Sequence, residues 1–374
     1  MGKSGEKQLR LGLIGPVLPY RGGIAQYTTM LHRALAAKAE LSTFSFKRQY
    51  PRLFYPGRDD IDPEFLGHRE PGVFYLLDSM NPLTWVETCN RLIRTSPAAV
   101  IIPWWTFFWG PCFGFIAGRL RQRRVRTIFL CHNIAEHEPS YWKQVITRKV
   151  LSKGEFFLVH SASERDALST LLPDARIVVH PHPVLRHNPR EGKVPARRGR
   201  LELLFYGFVR PYKGLDVLIE AMRILRDENV CLSVVGEWWK KSVPLRNMLD
   251  ETDLRDRVEI VDRYVTEEET AGYFSRADVV VLPYRSASSS GVIPLAYGYG
   301  KPVIATRVGG LPEVVVEGVS GRLIAPADPH ALAEAVRGFM QIPPGSMREG
   351  IEKVSAGMTW ESLADNILDV TGGA

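Results

Sequence analysis

The stretch at residues 203–214, LLFYGFVRPYKG, constrains this chain more than any other. It reads as a buried strand that ends in a tight basic loop and opens a helix. Residues 201–206 are a short apolar run, Gly207 stands at the turn, and Leu215, Leu218, Ile219 and Met222 then recur at helical spacing. Such a strand-loop-helix step aims the N–H groups of the loop and first helical turn outward, where they favour negative charge. Arg210 adds a planar fork of donors and Lys213 a point charge, which together suit a ligand with two phosphates. The competing reading is a solvated loop with two surface cations.

A second block tips that balance. Residues 278–283, DVVVLP, read as another buried strand, followed by YRSASSSGVIPLAYGYGKPVIATRVGGLPE. A helix is expected from near Ser290, with Ser290 as its cap, Gly291 leaving a ligand room against the backbone, and the amides through Val292 favouring an anion. Gly300 is expected to stop the helix before a strand at 302–306. Two anion-binding turns in one domain suggest a nucleoside diphosphate.

At 374 residues the chain exceeds a comfortable single domain, and 45% hydrophobic residues allow two substantial cores. In the first half, strands are expected at 11–15, 98–102 and 126–131, and a helix at 24–35. That alternation means parallel sheet with crossover helices, an α/β architecture. The polar segment 186–200, with Pro189, Pro195, Arg190, Lys193, Arg197, Arg198 and Arg200, reads as the interdomain linker. Gly22, Gly23 and Ile24 form a flexible loop at the head of the first helix, able to close on donor phosphate or on acceptor. Gly12 and Gly15 lack the G-x-G-x-x-G spacing, which disfavours a nicotinamide dehydrogenase.

Cys89, Cys112, Cys131 and Cys231 show no paired spacing, so neither a zinc site nor a disulfide framework is expected, and a reducing compartment fits best. The charged start MGKSGEKQLRLGLIG runs straight into a strand without a cleavage-type region, so the expectation is a cytoplasmic protein. Residues 98–118, AAVIIPWWTFFWGPCFGFIAG, carry no charge and could span a bilayer by length. Pro103, Gly110 and Pro111 interrupt the run, and strand, aromatic loop and helix are expected instead. The aromatics Trp104, Trp105, Phe107, Phe108 and Trp109 are then either core or near a cleft or membrane surface. Formal net charge is +7 with a pI near 9.2. It suits anionic headgroups or pyrophosphate-linked acceptors; no nucleic-acid module is recognisable, so no nucleic-acid partner is expected.

His132 ends the strand-like TIFLCHN, where a side chain at the carboxyl edge of a parallel sheet faces a ligand crevice. His137 and Glu138 follow as candidate acceptor-orienting groups. His180 and His182 lack ligand-spaced partners, so metal binding is not expected and a hinge-shaping role is.

Residues 207–214, Val235-Gly236-Glu237, 277–284, 290–306 and Gly309-Gly310-Leu311-Pro312-Glu313 together resemble the nucleotide-binding half of retaining glycosyltransferases of family 4. The resemblance implies the GT-B fold, two Rossmann-like domains with parallel sheets facing across a cleft. The expected division is 1–187, a linker at 188–200, a nucleotide-sugar-binding domain at 201–355, and a C-terminal helix at 356–374 crossing back to the first domain. It implies sugar transfer with retention from a UDP- or GDP-linked donor to a saccharide or lipid-linked acceptor, without metal or cofactor. The basic and aromatic first half, rather than the resemblance, points to envelope polysaccharide or glycolipid synthesis as the setting, with peripheral membrane contact at the inner face of the membrane.

By the same resemblance, His132 contacts the transferred sugar, Arg210 and Lys213 bind the diphosphate, and Gly22, Gly23, Gly207, Glu237, Ser290, Gly291 and Val292 line the donor. Two departures stand out. The usual pair of glutamates falls on Ala287 and Leu295, leaving Ser288, Ser289 and Glu237 as substitutes, and Phe208 occupies the place of a common arginine that Arg210 would replace. A non-catalytic sugar-nucleotide-binding relative and a GT-B epimerase are the alternatives.

Overall fold

A computed structural model describes residues 9–51, 60–134, 141–185, 194–239, 245, 246, 248 and 254–372. His137, Glu138 and residues 186–193 of the expected linker lie outside the described residues. The chain divides into two compact units: Met1–Pro181 with Trp360–Ala374, and His182–Thr359.

Unit 1 is built on a seven-stranded parallel sheet. Its strands are β1 (Arg10–Ile14), β2 (Glu40–Arg48), β3 (Val73–Asp78), β4 (Ala99–Trp104), β5 (Arg126–Cys131), β6 (Phe156–Val159) and β7 (Arg176–Val179), in the order β3-β2-β1-β4-β5-β6-β7. The helices are α1 (Gly23–Ala36), α2 (Pro82–Arg94), α3 (Gly110–Gln122), α4 (Tyr141–Leu151) and α5 (Ala162–Leu171). Every residue of β4 is buried, the continuous apolar signature of a strand covered on both faces.

The uncharged run at 98–118 resolves into β4, a single 3-10 turn at Phe107–Trp109, and α3. Trp104 and Trp109 are each 1% exposed, so these two belong to the core rather than to a cleft or membrane surface; Pro103, expected to interrupt the run, lies inside β4 in register with Leu130, and the chain turns only after Trp104, where Thr106 caps the 3-10 turn. Among the described residues no helix is long and apolar enough to cross a membrane.

The C-terminal helix Trp360–Gly372 packs on α1. Trp360 meets Tyr27 edge-on at 4.8 Å, Lys38 pairs with Asp365 at 2.5 Å, and Arg126 donates to the Thr371 carbonyl at 3.0 Å.

Unit 2 holds a six-stranded parallel sheet of β8 (Leu201–Tyr206), β9 (Val230–Val235), β10 (Val258–Val261), β11 (Val279–Leu282), β12 (Val303–Thr306) and β13 (Gly321–Ile324), ordered β10-β9-β8-β11-β12-β13. Helix α6 (Leu215–Ile224) buries Leu215, Leu218, Ile219 and Met222 on the sheet, the stripe expected from their spacing. Arg197, Arg198 and Arg200, the described arginines of the expected linker, are engaged at the amino end of this sheet, opposite the ligand edge. Arg197 makes two hydrogen bonds to Asp278 (2.9 and 2.6 Å), Arg198 donates to the Leu232 carbonyl (2.9 Å), and Arg200 donates to the Met340 carbonyl (3.2 Å). All four cysteines are free and buried, and burial pushes the Cys89 thiol up to about 11.

Candidate functional site

In a parallel sheet wound in both directions, ligands gather at the carboxyl edge where the strand order reverses. In unit 2 that point lies between neighbouring strands β8 and β11, and the two loops singled out in the sequence leave from it. The first loop is tied to the segment after β9. Val209 N–H donates to the Glu237 carbonyl (3.0 Å), Trp239 N–H donates to the Val209 carbonyl (3.3 Å), and Val209 bridges Trp238. This pairing brings Trp239 under Arg210, whose guanidinium carbon stands 3.5 Å from the indole centroid and 5.8 Å from that of Phe208. Stacking on an indole face holds the guanidinium in one orientation at little cost to its charge.

Lys213 ends a 3-10 turn, Pro211–Lys213, and Gly214 follows in the left-handed region at φ +68°. A Cβ at Gly214 would lie 2.0 Å from the Pro283 carbonyl oxygen, so only glycine lets the loops after β8 and β11 touch. The contact is reinforced by Arg285 N–H donating to the Tyr212 carbonyl (2.7 Å) and by an Arg285–Asp216 ion pair. Lys213 is 8% exposed, and its Nζ lies 5.6 Å from the Tyr284 ring centroid and 3.0 Å from where a Gly207 Cβ would stand. Among the described residues no carboxylate pairs with this amine. Burial, and secondarily the charge of Arg210, lower its pKa from 10.5 to about 7. A buried amine lacking a counterion, beside a second cation, is an anion site awaiting charge.

The helix after β11 is shorter and later than expected. It runs Val292–Gly298 with Gly291, not Ser290, at the N-cap. Ser290 still contributes, since its Oγ accepts from Val292 N–H at 3.2 Å. The serine run before it is held by the loop after β12: Gly310 N–H donates to the Ser288 carbonyl (3.0 Å), and a Gly309 Cβ would collide with the Ala287 oxygen at 1.7 Å. Leu295, at the second glutamate position, is 7% exposed and part of the core. Glu237 is 6% exposed. The nearest atom to a Cβ on Gly291 would be His182 Nε2, at 3.7 Å.

Unit 1 gathers a different set at its own carboxyl edge. His132 continues the ladder past β5, its N–H donating to the Trp104 carbonyl at 2.8 Å. Its ring meets Tyr27 edge-on at 4.5 Å and His160 at 5.3 Å. His160 in turn bonds the His180 carbonyl through Nδ1 (3.0 Å) and donates its backbone N–H to the buried Glu164 (2.9 Å). His180 reaches Ser362 at 3.1 Å, and burial lowers its pKa. Gly22, at φ +98°, caps α1, and a Cβ at Gly22 or Gly23 would meet nothing within 4 Å, so this helix start is open. No group of three or more metal-ligating side chains occurs among the described residues.

The structure thus collects Gly207, Arg210, Lys213, Glu237, Ser290, Gly291 and Val292 at one edge of unit 2, and Gly22, Gly23 and His132 at one edge of unit 1. Sequence reading missed Trp239, Tyr284, His160 and the placement of His182. Trp239 had a signal: in VGEWW an aromatic pair comes two residues after the glycine that follows β9.

Residues 200–341 match the family model of the glycosyl transferases group 1. The D-inositol 3-phosphate glycosyltransferase of Streptomyces coelicolor is 31% identical over 255 residues, covering 59% of this chain and 56% of that protein. The chain spans about half the length of the curated relatives it matches. Among solved structures, the sucrose-phosphate synthase from Thermosynechococcus elongatus aligns over 98% of this chain and 99% of its own, with TM-score 0.73 and 20% identity. Anabaena HepE in complex with UDP aligns over 98% and 100%, with TM-score 0.73 and 16% identity. These likenesses show the fold, two Rossmann-like units of the GT-B type, and the sequence matches support a glycosyltransferase.

Proposed function

We propose that this chain moves a hexosyl group from a nucleoside diphosphate donor to a saccharide or lipid-linked acceptor, with retention and without a metal. The observation that carries this reading is the buried, carboxylate-free amine of Lys213 beside the stacked Arg210 at the unit 2 switch point. As the bond between the sugar C1 and the diphosphate oxygen breaks, negative charge grows on the leaving group. Two fixed cations and the amides at Gly291 and Val292 favour that charge more than the ground state, which lowers the barrier. The acceptor oxygen bonds C1 on the face the diphosphate leaves, and its proton passes to a phosphate oxygen. These cations supply the counter-charge that a divalent ion provides elsewhere, which is the basis for the metal-independent reading.

To His132 we assign contact with the transferred sugar, and to Gly22 and Gly23 an open backbone for donor phosphate. With Ala287 and Leu295 at the glutamate positions, Glu237, Ser288 and Ser289 are assigned to sugar and ribose. The UDP-bound neighbour favours UDP as the first donor to try.

The test is calorimetric titration of the protein with UDP, GDP and their sugar conjugates, repeated for Arg210→Ala and Lys213→Ala. One well-defined binder, weakened in both variants, is expected. Absence of binding by any of them would set the transferase reading aside.

A further inference from the structure

The C-terminal helix enters unit 1 at Trp360, and its first turn lands on the ring cluster around His132. Tyr27 stands at the centre of that cluster, with His132 edge-on at 4.5 Å, His160 tilted at 5.3 Å and Trp360 edge-on at 4.8 Å. Two residues past Trp360, Ser362 meets His180 Nε2 at 3.1 Å. His180 Nδ1 lies 2.6 Å from the Pro181 carbonyl, so it carries the proton of the neutral ring that burial favours, and the Ser362 hydroxyl donates to Nε2. The His180 carbonyl accepts in turn from His160 Nδ1 at 3.0 Å, and the His160 ring stands 5.3 Å from that of His132. One turn of helix therefore reaches His132 by two routes, an aromatic one through Tyr27 and a polar one through His180 and His160.

We propose that this turn sets the orientation of the His132 imidazole, with Trp360, Ser362 and His160 as positioning residues. The consequence for catalysis rests on the contact between His132 and the transferred sugar proposed above; the orientation itself does not. The backbone of His132 is fixed by its N–H bond to the Trp104 carbonyl at 2.8 Å. The bond that turns an imidazole is a soft, two-fold rotor, so packing against the ring has to hold it. Tyr27 and His160 meet the ring at 85° and 40°, and a partial turn of the imidazole would lose both contacts. Tyr27, His160, His180 and Trp360 are all buried. A line of buried polar groups costs more to desolvate than apolar side chains of the same volume, and what it adds is a fixed direction for each ring. A reacting group gains from such support because rate depends on its alignment with the substrate.

The experiment is long-range proton–nitrogen NMR on the full chain with isotope-labelled histidine, His132 being assigned by the signals lost in His132→Gln. Each ring nitrogen holds its proton according to the partner it faces, so a turned ring changes the tautomer balance of His132. Ser362→Ala, His160→Leu and Trp360→Leu are each expected to change that balance. His160→Asn, which keeps a donor for the His180 carbonyl, and Trp360→Phe, which keeps a ring edge for Tyr27, are expected to preserve it. Turnover is read as UDP released from UDP-glucose. The first three variants should lower kcat about three- to tenfold with KM unmoved, the scale of a lost hydrogen bond, and the other two should stay near the native rate. Melting curves separate positioning from folding, and Ser362→Ala, on a half-buried side chain, removes one hydroxyl and no ring. A native tautomer balance in the first three variants, or equal loss in His160→Leu and His160→Asn, would overturn the proposal. If the native protein releases no UDP, the donor reading fails alone, because the spectrum is taken without nucleotide and decides the orientation by itself.

Discussion

The two units repeat one order of their first six strands and place different chemistry at its carboxyl edge. In unit 2, the loops after β8 and β11 assemble a guanidinium stacked on Trp239 and an amine buried without a carboxylate. In unit 1, the carboxyl edge beside β4 and β5 assembles a ring cluster of Tyr27, His132 and His160, with Glu164 beneath it. A doubly wound sheet therefore supplies the place for a ligand, and the loop residues decide which charge is welcome there.

The largest expected effect falls on the cationic edge. Arg210→Ala and Lys213→Ala should each raise the dissociation constant for the bound nucleoside diphosphate roughly ten- to hundredfold, the scale of a charge-assisted hydrogen bond. Equal binding by native and variant proteins would break the comparison at its root. His132→Ala sharpens it from the other side: turnover should drop about tenfold with the donor dissociation constant unmoved, the mark of a hydrogen bond used in the transition state. A shift in donor affinity alone would instead place His132 in uniform binding.

Next in size is the pH response of Lys213. Folding lowers its pKa from 10.5 to about 7, so between those values the unfolded chain binds more protons than the native one. Stability from this group therefore rises with pH across that window, by up to about 1.4 kcal/mol per unit, and its cost is fully present below the window. Lys213→Met removes the group, so the native protein should gain melting temperature relative to this variant between pH 7 and 9. Parallel curves would contradict it. A bound diphosphate raises the pKa again, so titrations at pH 8 in buffers of differing ionisation enthalpy should register proton uptake.

The smallest expected effect is that of Trp239→Ala, about three- to tenfold on donor affinity through the lost stacking of Arg210, with Trp239→Phe retaining most of it. Affinity unchanged in Trp239→Ala would mean that Arg210 is oriented by something else.

Much of the fold was legible because its signals are local. A short apolar run identifies β8 at residues 201–206, closed by Gly207, and β5 at 126–131, closed by His132, with the same bounds in both readings. The stripe Leu215, Leu218, Ile219 and Met222 likewise requires only helical spacing. Where the reading slipped, the deciding contact was remote in sequence. Trp104 and Trp109 entered the core because Phe46 and Phe113 wait there, 4.5 Å and 5.6 Å from the Trp109 ring.

By itself, then, the sequence determined the α/β alternation, the two basic and glycine-rich turns, and the candidacy of Arg210, Lys213 and His132, since periodicity and turn chemistry are properties of neighbouring residues. Only the tertiary structure decided that Lys213 sits buried without a carboxylate, that Trp239 carries Arg210, and that His132 belongs to a cluster reaching Ser362 through His160 and His180. Burial, and pairing across long separations, depend on how strands distant in sequence align, and no local pattern encodes that alignment.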